Sequence, residues 1–347
     1  MAKEAILYEK REEGHVQCFL CAHRCLIAEG RRGVCMVREN EGGTLYTHTY
    51  GRLIAQAVDP IEKKPLYHFR PGTTSYSIAT VGCNFQCRFC QNADISQQVR
   101  AEQMVAGPYV PPESVVETAK RRGCATIAYT YTEPTIFFEY AYDVFRPAID
   151  AGMENIFVTN GYMTPETIET AKPYLHAANV DLKSFRDDFY KRLISARLAP
   201  VLESLRLLKR AGVWVEVTTL LIPTLNDSDE ELREIARFIR DELGVDTPWH
   251  VSRFYPAYRL QDVPPTPVTR VREAREIGLA EGLRYVYEGN VPDSAGAHTY
   301  CYNCGEALIR RAGYHIIENR ITGDQRCPRC QAGIDGVGLP KRGEGKR

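Results

Sequence analysis

The sequence predicts an α/β protein built on a partial (β/α)6 TIM-like barrel, with a Cys-rich N-terminal segment and a C-terminal zinc-ribbon-like module. Two observations support this. Short apolar, β-branched runs alternate with amphipathic helical segments through the middle of the chain, which is typical of parallel strands joined by helices. Most of the twelve cysteines lie in tight groups, and two of these groups flank that region. We therefore divide the chain into the N-terminal segment 1–74, the barrel 75–296, the module 297–336 and a flexible tail 337–347.

Six strand candidates define the barrel, and most are followed by a helical pattern that starts near Pro or Glu and often ends at Gly. The strands are SYSIATVG, ATIAYTY, NIFVTNG, AANVDLK, VWVEVTTLL and WHVSRFY. A last helix, TRVREAREIGLAEG, and the strand RYVYE complete the unit. Functional residues of such a barrel belong on the loops that follow the carboxyl ends of the strands.

Charge and hydropathy narrow the class of protein. The 347 residues carry 44 Lys and Arg against 44 Asp and Glu, a balance that argues against a basic nucleic-acid-binding surface. No uncharged apolar run reaches bilayer length, and the amino terminus, MAKEAILYEKREEG, is too polar for a signal peptide. We expect a cytoplasmic protein with neither a membrane nor a nucleic acid as its partner.

The cysteines are expected to be reduced thiols in that compartment, so their grouping indicates metal sites rather than disulfides. Eleven of them form three groups, and Cys124 stands alone as a predicted buried structural thiol. The groups are Cys18, Cys21, Cys25 and Cys35; Cys83, Cys87 and Cys90; and Cys301, Cys304, Cys327 and Cys330.

The middle group, in GCNFQCRFCQN, has only three thiols and follows the first predicted barrel strand directly. Four thiolates would close a metal site, whereas three leave one position open for chemistry. The alternative is a zinc site that takes a fourth ligand from elsewhere in the chain.

The CxxxCxxC spacing of this loop, with the aromatic Phe89 before its last cysteine, resembles the signature of the radical SAM superfamily. The resemblance implies that Cys83, Cys87 and Cys90 hold three irons of a [4Fe-4S] cluster. It also implies that the fourth iron binds the amino and carboxylate groups of S-adenosylmethionine (SAM). Reductive cleavage of SAM would then give a 5′-deoxyadenosyl radical.

The barrel is similar to that of the pyruvate formate-lyase activating enzymes, which have a Gly-Gly-Glu motif after the second strand. Here the stretch is YTYTEP, so Glu133 is retained while Tyr131 and Thr132 replace the glycines. The resemblance implies that Glu133 meets the methionyl amino group of SAM. The alternative is that Glu133 and Pro134 only begin a helix.

Three further motifs carry residues that this resemblance assigns to SAM. Thr159 and Asn160 in VTNG would lie on the ribose side, although a plain turn has the same sequence. Asp181 and Lys183 in VDLK share a strand face; the resemblance places the lysine on the SAM carboxylate and the aspartate near a monovalent cation, and a simple salt bridge is the alternative. His250 would contact SAM or be a satisfied core histidine.

Motifs along almost the whole chain are similar to the radical SAM enzymes of the AmmeMemoRadiSam system. They are CFLCAHRCLIAEGRRGVCMVREN, GCNFQCRFCQNADISQ, YTYTEPTIFFEY, VTNGYM, NVDLKSF and CYNCGEALI, with departures at Ala22, Ala93 and Tyr302.

The resemblance implies hydrogen abstraction from a partner protein or peptide, with electrons from a low-potential donor such as flavodoxin or ferredoxin. Action on a small molecule or RNA, or a zinc-stabilised module without catalysis, are the alternatives.

The two flanking cysteine groups remain to be assigned. Paired CxxC knuckles at Cys301/Cys304 and Cys327/Cys330 predict a structural Zn²⁺, with a rubredoxin-like iron site as the alternative. The N-terminal group suits either Zn²⁺ or an iron-sulfur cluster, with His23 as a spare ligand, and we favour zinc.

Overall fold

The structure is a computed structural model that describes residues 2–102 and 104–339. The N-terminal segment forms two small three-stranded antiparallel sheets, with strand orders β1-β6-β5 and β2-β3-β4. Their strands are β1 (Lys3–Glu4), β2 (Tyr8–Lys10), β3 (Val16–Cys18), β4 (Leu26–Ile27), β5 (Arg38–Glu41) and β6 (Thr44–Thr47).

Eight strands form the central sheet, and each lies beside the next in chain order. They are β7 (Ala55–Pro60), β8 (Thr74–Ala79), β9 (Thr126–Tyr129), β10 (Glu154–Thr159), β11 (Leu175–Asp181), β12 (Trp214–Leu221), β13 (Trp249–Arg253) and β14 (Val286–Gly289). Strands β8 to β14 are parallel, whereas β7 is antiparallel to β8. Within the described residues β7 and β14 do not pair, so the predicted partial barrel is confirmed. The sheet starts before residue 75, because the N-terminal segment contributes its edge strand β7.

The helices connect consecutive parallel strands, as the alternating pattern predicts. They are α1 (Ala93–Ser96), α2 (Gln98–Glu102), α3 (Pro112–Arg121), α4 (Phe138–Asp150), α5 (Pro165–Ala171), α6 (Asp187–Phe189), α7 (Leu198–Arg210), α8 (Asp229–Phe238) and α9 (Val268–Ala280). Short π-helical turns at Tyr190–Ile194 and Ile239–Leu243 extend α6 and α8. Side-chain oxygens of Thr164 and Ser228 accept backbone N–H bonds and fix the starts of α5 and α8. None of the described helices combines the length and the apolar character that crossing a membrane requires.

The C-terminal module is a small antiparallel sheet of β15 (Thr299–Tyr300), β16 (Ala307–Ala312) and β17 (His315–Asn319). Its own apolar cluster contains Leu308, Ile309 and Ile321 together with its cysteines. Few apolar side chains support this module, so a metal ion is expected to contribute to its stability.

Residues 340–347 of the predicted tail 337–347 lie outside the described residues. Its first residues are packed: Val337 forms a parallel bridge with Phe69, and Leu339 is buried in the apolar cluster of the C-terminal module.

Candidate functional site

The three-cysteine loop follows β8 at the carboxyl edge of the sheet. Cys87 is buried, while Cys83 and Cys90 are partly buried. The backbone N–H of Phe85 donates to Cys83 Sγ at 3.3 Å. Gly82 has φ +97°, and a Cβ there would lie 2.8 Å from Val37 Cγ1, so glycine is required for the loop to approach the N-terminal segment.

The loop sulfurs are not drawn together as they would be around a single ion. Among the described residues, two groups of His, Cys, Asp or Glu bring three or more ligand atoms within 4.8 Å of one another, and the loop cysteines are in neither. A single Zn²⁺ with 2.3 Å bonds would draw its sulfurs to about 3.8 Å from one another. A four-iron cluster holds its thiolates further apart, so the loop fits a cluster.

An unpaired donor beside the loop supports the same assignment. Asn84 Nδ2 is buried and has no hydrogen-bond partner in the described part of the chain. The Oδ1 atom of Asn84 accepts from Asn160 Nδ2 at 2.7 Å. Asn160 Nδ2 also lies 3.8 Å from Cys83 Sγ. Amide donors next to the sulfurs are what an iron-sulfur cluster uses to tune its potential.

Glu133, Thr159 and Asn160, predicted from separate motifs, converge on one hydrogen-bond network. Glu133 Oε1 accepts from Thr159 Oγ1 at 2.7 Å and from the N–H and hydroxyl of Thr135 at 3.0 and 2.5 Å. Oε2 accepts from the Asn160 N–H at 2.8 Å and keeps a lone pair for another donor. Burial raises the pKa of the Glu133 carboxyl, and these donors oppose that shift.

Glu133 also has a local structural role. Glu133 caps the short 3-10 helix Pro134–Phe137 through the Thr135 N–H, as the helix-start alternative expects. Tyr131 adopts φ +65°, the left-handed conformation that favours glycine.

Asp181 and Lys183 lie together at the end of β11, next to the loop. Lys183 Nζ and Asp181 Oδ2 are 2.7 Å apart, and both side chains remain partly accessible. Burial lowers the pKa of Lys183. The negative charges of Asp181 and Cys87 raise it by a larger amount, so the pKa is raised overall. Burial raises the pKa of the Cys87 thiol to about 12, and the Lys183 charge opposes that shift.

His250 lies elsewhere, in a buried network inside the barrel. Its Nε2 is 2.7 Å from Glu216 Oε2, and its ring stacks on Tyr287. It is 2% exposed. These contacts favour the satisfied core histidine over the predicted SAM contact.

Phe89 is buried on the other side of the loop, with its ring centroid 5.8 Å from that of Phe189. It supports the loop by packing.

One buried polar cluster beside Tyr131 was not predicted from the sequence. Asp59 Oδ2 accepts from Lys64 Nζ at 2.7 Å and from the Tyr131 hydroxyl. Burial lowers the pKa of Lys64 to about 8, and Asp59 opposes that shift. Asp59 and Lys64 precede the predicted barrel, so no signal in the sequence placed them beside Tyr131.

The C-terminal cysteines converge as a single-ion site does. Sγ atoms of Cys301 and Cys330 are 3.6 Å apart, as are those of Cys304 and Cys327. All four lie within 4.8 Å of one another, close to the distances expected for tetrahedral zinc. The Asn303 side chain and the Ala332 N–H lower the pKa of Cys330 to about 6, which favours its thiolate.

The other converged group is Glu39, Glu41 and His48 on the N-terminal segment. His48 and an arginine, Arg32, both pair with Glu39 there.

The fold and the loop define a class: a partial-barrel enzyme with a three-thiolate cluster site at the carboxyl edge of its sheet. Residues 77–239 match the family model described as Radical SAM superfamily. The chain is 47% identical over 336 residues to the uncharacterized protein MJ0808 of Methanocaldococcus jannaschii, covering 96% of this chain and 99% of that protein. The chain belongs to the radical SAM superfamily, and this membership implies a [4Fe-4S] cluster and SAM.

Two more distant similarities agree with this assignment. The pyruvate formate-lyase-activating enzyme of Clostridium pasteurianum is 22% identical over 192 residues, which cover 52% of this chain and 80% of that enzyme. The crystal structure of Streptococcus suis SuiB bound to precursor peptide SuiA aligns with a TM-score of 0.51 at 14% identity, covering 67% of this chain and 52% of that one. The second similarity shows the fold alone. The chain is thus a radical SAM enzyme related to the activating enzymes.

Proposed function

We propose that this enzyme cleaves SAM reductively and abstracts a hydrogen atom from a partner protein or peptide, as a glycyl-radical activase does. One observation carries the proposal. A buried carboxylate and a partly accessible ammonium, Glu133 and Lys183, flank the same three-cysteine loop on two sides. SAM presents the complementary pair, an ammonium and a carboxylate, when both leave water to bind iron.

Each side chain has a defined task in this proposal. The group held by Cys83, Cys87 and Cys90 supplies the electron and the open iron position when bound. Glu133 accepts a hydrogen bond from the SAM ammonium at Oε2, since that oxygen has one protein donor. Lys183 donates to the SAM carboxylate. Asp181, its present partner, keeps the ammonium oriented.

Thr159 and Asn160 hold Glu133 in place, and Asn160 ties it to the cysteine loop. We propose that the ribose of SAM lies along this VTNG turn. Phe89 packs under the loop and excludes water from it.

The nature of the substrate and of the reductant rests on the relationship to the activating enzymes. The similarity to the pyruvate formate-lyase-activating enzyme supports a protein or peptide substrate for this chain. We propose a low-potential donor such as flavodoxin or ferredoxin. All twelve cysteines are free, which suits the reducing cytoplasm.

A structural Zn²⁺ in the C-terminal module belongs to the same proposal. A Cys301→Ser, Cys304→Ser double variant should lose about one zinc per chain while keeping its iron, because the four sulfurs fit one tetrahedral ion. Metal analysis decides it, and an unchanged zinc content would contradict the assignment.

The enzymatic proposal is tested by following 5′-deoxyadenosine formation from SAM with anaerobically reconstituted, dithionite-reduced protein. The wild type and the Cys124→Ala control should form it, because Cys124 is a lone buried thiol away from the loop. Cys87→Ala should not. Formation at the wild-type rate by Cys87→Ala would contradict the proposed site. Failure of the wild type to cleave SAM would favour a module without catalysis.

A further inference from the structure

The four N-terminal cysteines line one cavity. Cys18 and Cys35 are 6% and 7% exposed. The rest of the lining is mostly apolar and includes Leu20, Ile27, Val34 and Ile136. Four thiols that converge on one space indicate a bound inorganic group.

The spacing of these sulfurs distinguishes them from the C-terminal group. Within the described residues, the four C-terminal ligand atoms all lie within 4.8 Å of one another, and no three of the N-terminal thiols form such a group. Both sets have four cysteines, so the difference lies in geometry. The C-terminal set fits one ion, whereas the N-terminal sulfurs, like those of the three-cysteine loop, are not drawn together to that extent, and a larger centre would fit them better.

Hydrogen bonds to the N-terminal sulfurs support the same conclusion. Arg38 Nη1 donates to Cys18 Sγ at 3.2 Å, and the Val34 N–H donates to Cys25 Sγ at 3.5 Å. Arg38 is buried and also pairs with Glu139, so its position is fixed. Donors of this kind set the reduction potential of an iron-sulfur cluster.

We propose that Cys18, Cys21, Cys25 and Cys35 hold a second iron-sulfur cluster, of the [4Fe-4S] type, rather than the zinc that the sequence favoured. Four thiolates occupy all four irons of such a cluster and leave no position for a substrate. Its role is therefore electron transfer.

The position of this site beside the three-cysteine loop fits that role. One side chain, Arg100, donates to the carbonyl of Val34 at 2.6 Å and to the carbonyl of Cys83 at 2.7 Å. His23 Nε2 is 2.8 Å from the carbonyl of Asn84. The two cysteine-bearing segments are thus joined by direct hydrogen bonds.

The electron-transfer step rests on the proposed function. The reduced N-terminal cluster loses one electron and is oxidised, and the cluster at the three-cysteine loop gains that electron before SAM is cleaved. A low-potential one-electron donor protein, a reduced flavodoxin in the test, reduces the N-terminal cluster again.

The test uses a full-length Cys83→Ala, Cys87→Ala, Cys90→Ala variant, reconstituted anaerobically. It should retain about four irons and four sulfides and give a reduced-cluster EPR signal that SAM does not alter. The wild type should bind about eight irons and about one zinc. The matched control replaces Cys18, Cys21, Cys25 and Cys35 by alanine and should retain the SAM-responsive signal.

An iron-free triple variant with about two zincs per chain would overturn the second cluster. Should the triple variant fail to fold, wild-type protein with about four irons and about two zincs would overturn it equally. Neither result depends on SAM cleavage, so they are distinguishable from failure of the proposed function. The transfer step is overturned if the control cleaves SAM as fast as the wild type when a reduced flavodoxin, and no dithionite, supplies the electrons.

Discussion

Two buried carboxylates at different levels of the barrel, Glu133 and Glu216, have similar burial and opposite electrostatics. Each accepts four hydrogen bonds. Those of Glu133 come from neutral hydroxyl and backbone N–H groups alone. Those of Glu216 come from the N–H groups of Tyr67 and His68, the Trp214 indole and the His250 ring.

The pKa values follow this difference. Burial raises the pKa of both carboxyls, but His250 and His68 reverse the shift at Glu216, so its pKa is lowered overall. The pKa of Glu133 stays raised. No described Lys, Arg or His side chain forms an ion pair with Glu133. A buried carboxylate without a cation is costly, and it is the one beside the cysteine loop. The comparison therefore separates a carboxylate that stabilises the barrel from one that awaits a cationic ligand.

The largest expected effect is on stability at Glu216. Glu216→Ala should lower the free energy of unfolding by about 3 to 5 kcal/mol, because it leaves a buried histidine and two backbone N–H groups without their acceptor. Denaturant unfolding of the metal-loaded protein measures it. A loss below about 1 kcal/mol would show that the network contributes little to stability.

The next largest expected effect is on SAM binding by Lys183. Lys183→Met should weaken SAM binding by about 1.5 to 3 kcal/mol, because one charge-assisted hydrogen bond is lost. The iron content should not change. Titration of SAM into reduced protein, followed by EPR, gives the affinity, and Lys172→Met on the exposed face of the fold is a matched control.

A smaller effect is expected in the acid stability of the same network. Because the folded-state pKa of Glu216 is lowered, its contribution is present above the ordinary value of 4.5 and is lost as the pH falls below it. Glu216→Gln should therefore lose about 1 kcal/mol less stability than the wild type between about pH 6 and pH 3. Parallel acid-unfolding curves for the two proteins would contradict this.

The smallest expected effect is on stability at Glu133. Glu133→Gln should change the free energy of unfolding by no more than about 1 kcal/mol, because it removes an uncompensated buried charge while leaving one N–H less well bonded. Thermal unfolding without SAM tests it. A loss as large as that of Glu216→Ala would mean that Glu133 is structural.

Much of the site was predictable because parallel strands end at one edge of the sheet. The carboxyl ends of β9 and β10 are neighbours, so Glu133 and Thr159 had to lie close together once both strands were recognised. The cysteine spacing in GCNFQCRFCQN likewise placed three thiolates on one loop.

Other features depend on distances that spacing in the sequence does not give. Cys18 to Cys35 and Cys301 to Cys330 both have the sequence pattern of a four-thiol site, and only the folded structure shows that, of these two sets, the C-terminal one brings its sulfurs within 4.8 Å of one another. His250 meets Glu216 through the register of β12 against β13. Asp59 lies beside Tyr131 because β7 joins the sheet as an antiparallel edge strand, which no repeating pattern in the sequence indicated.

The most direct test of the central claim compares SAM affinity in Glu133→Gln and Glu216→Gln, each reconstituted to the same iron content and titrated with SAM under reduction while the EPR signal is followed. Loss of a charge-assisted bond to the ammonium predicts an affinity about ten to a hundred times weaker for Glu133→Gln, and an affinity near that of the wild type for Glu216→Gln. Equal, wild-type affinity in both variants would contradict the assignment of Glu133 to SAM.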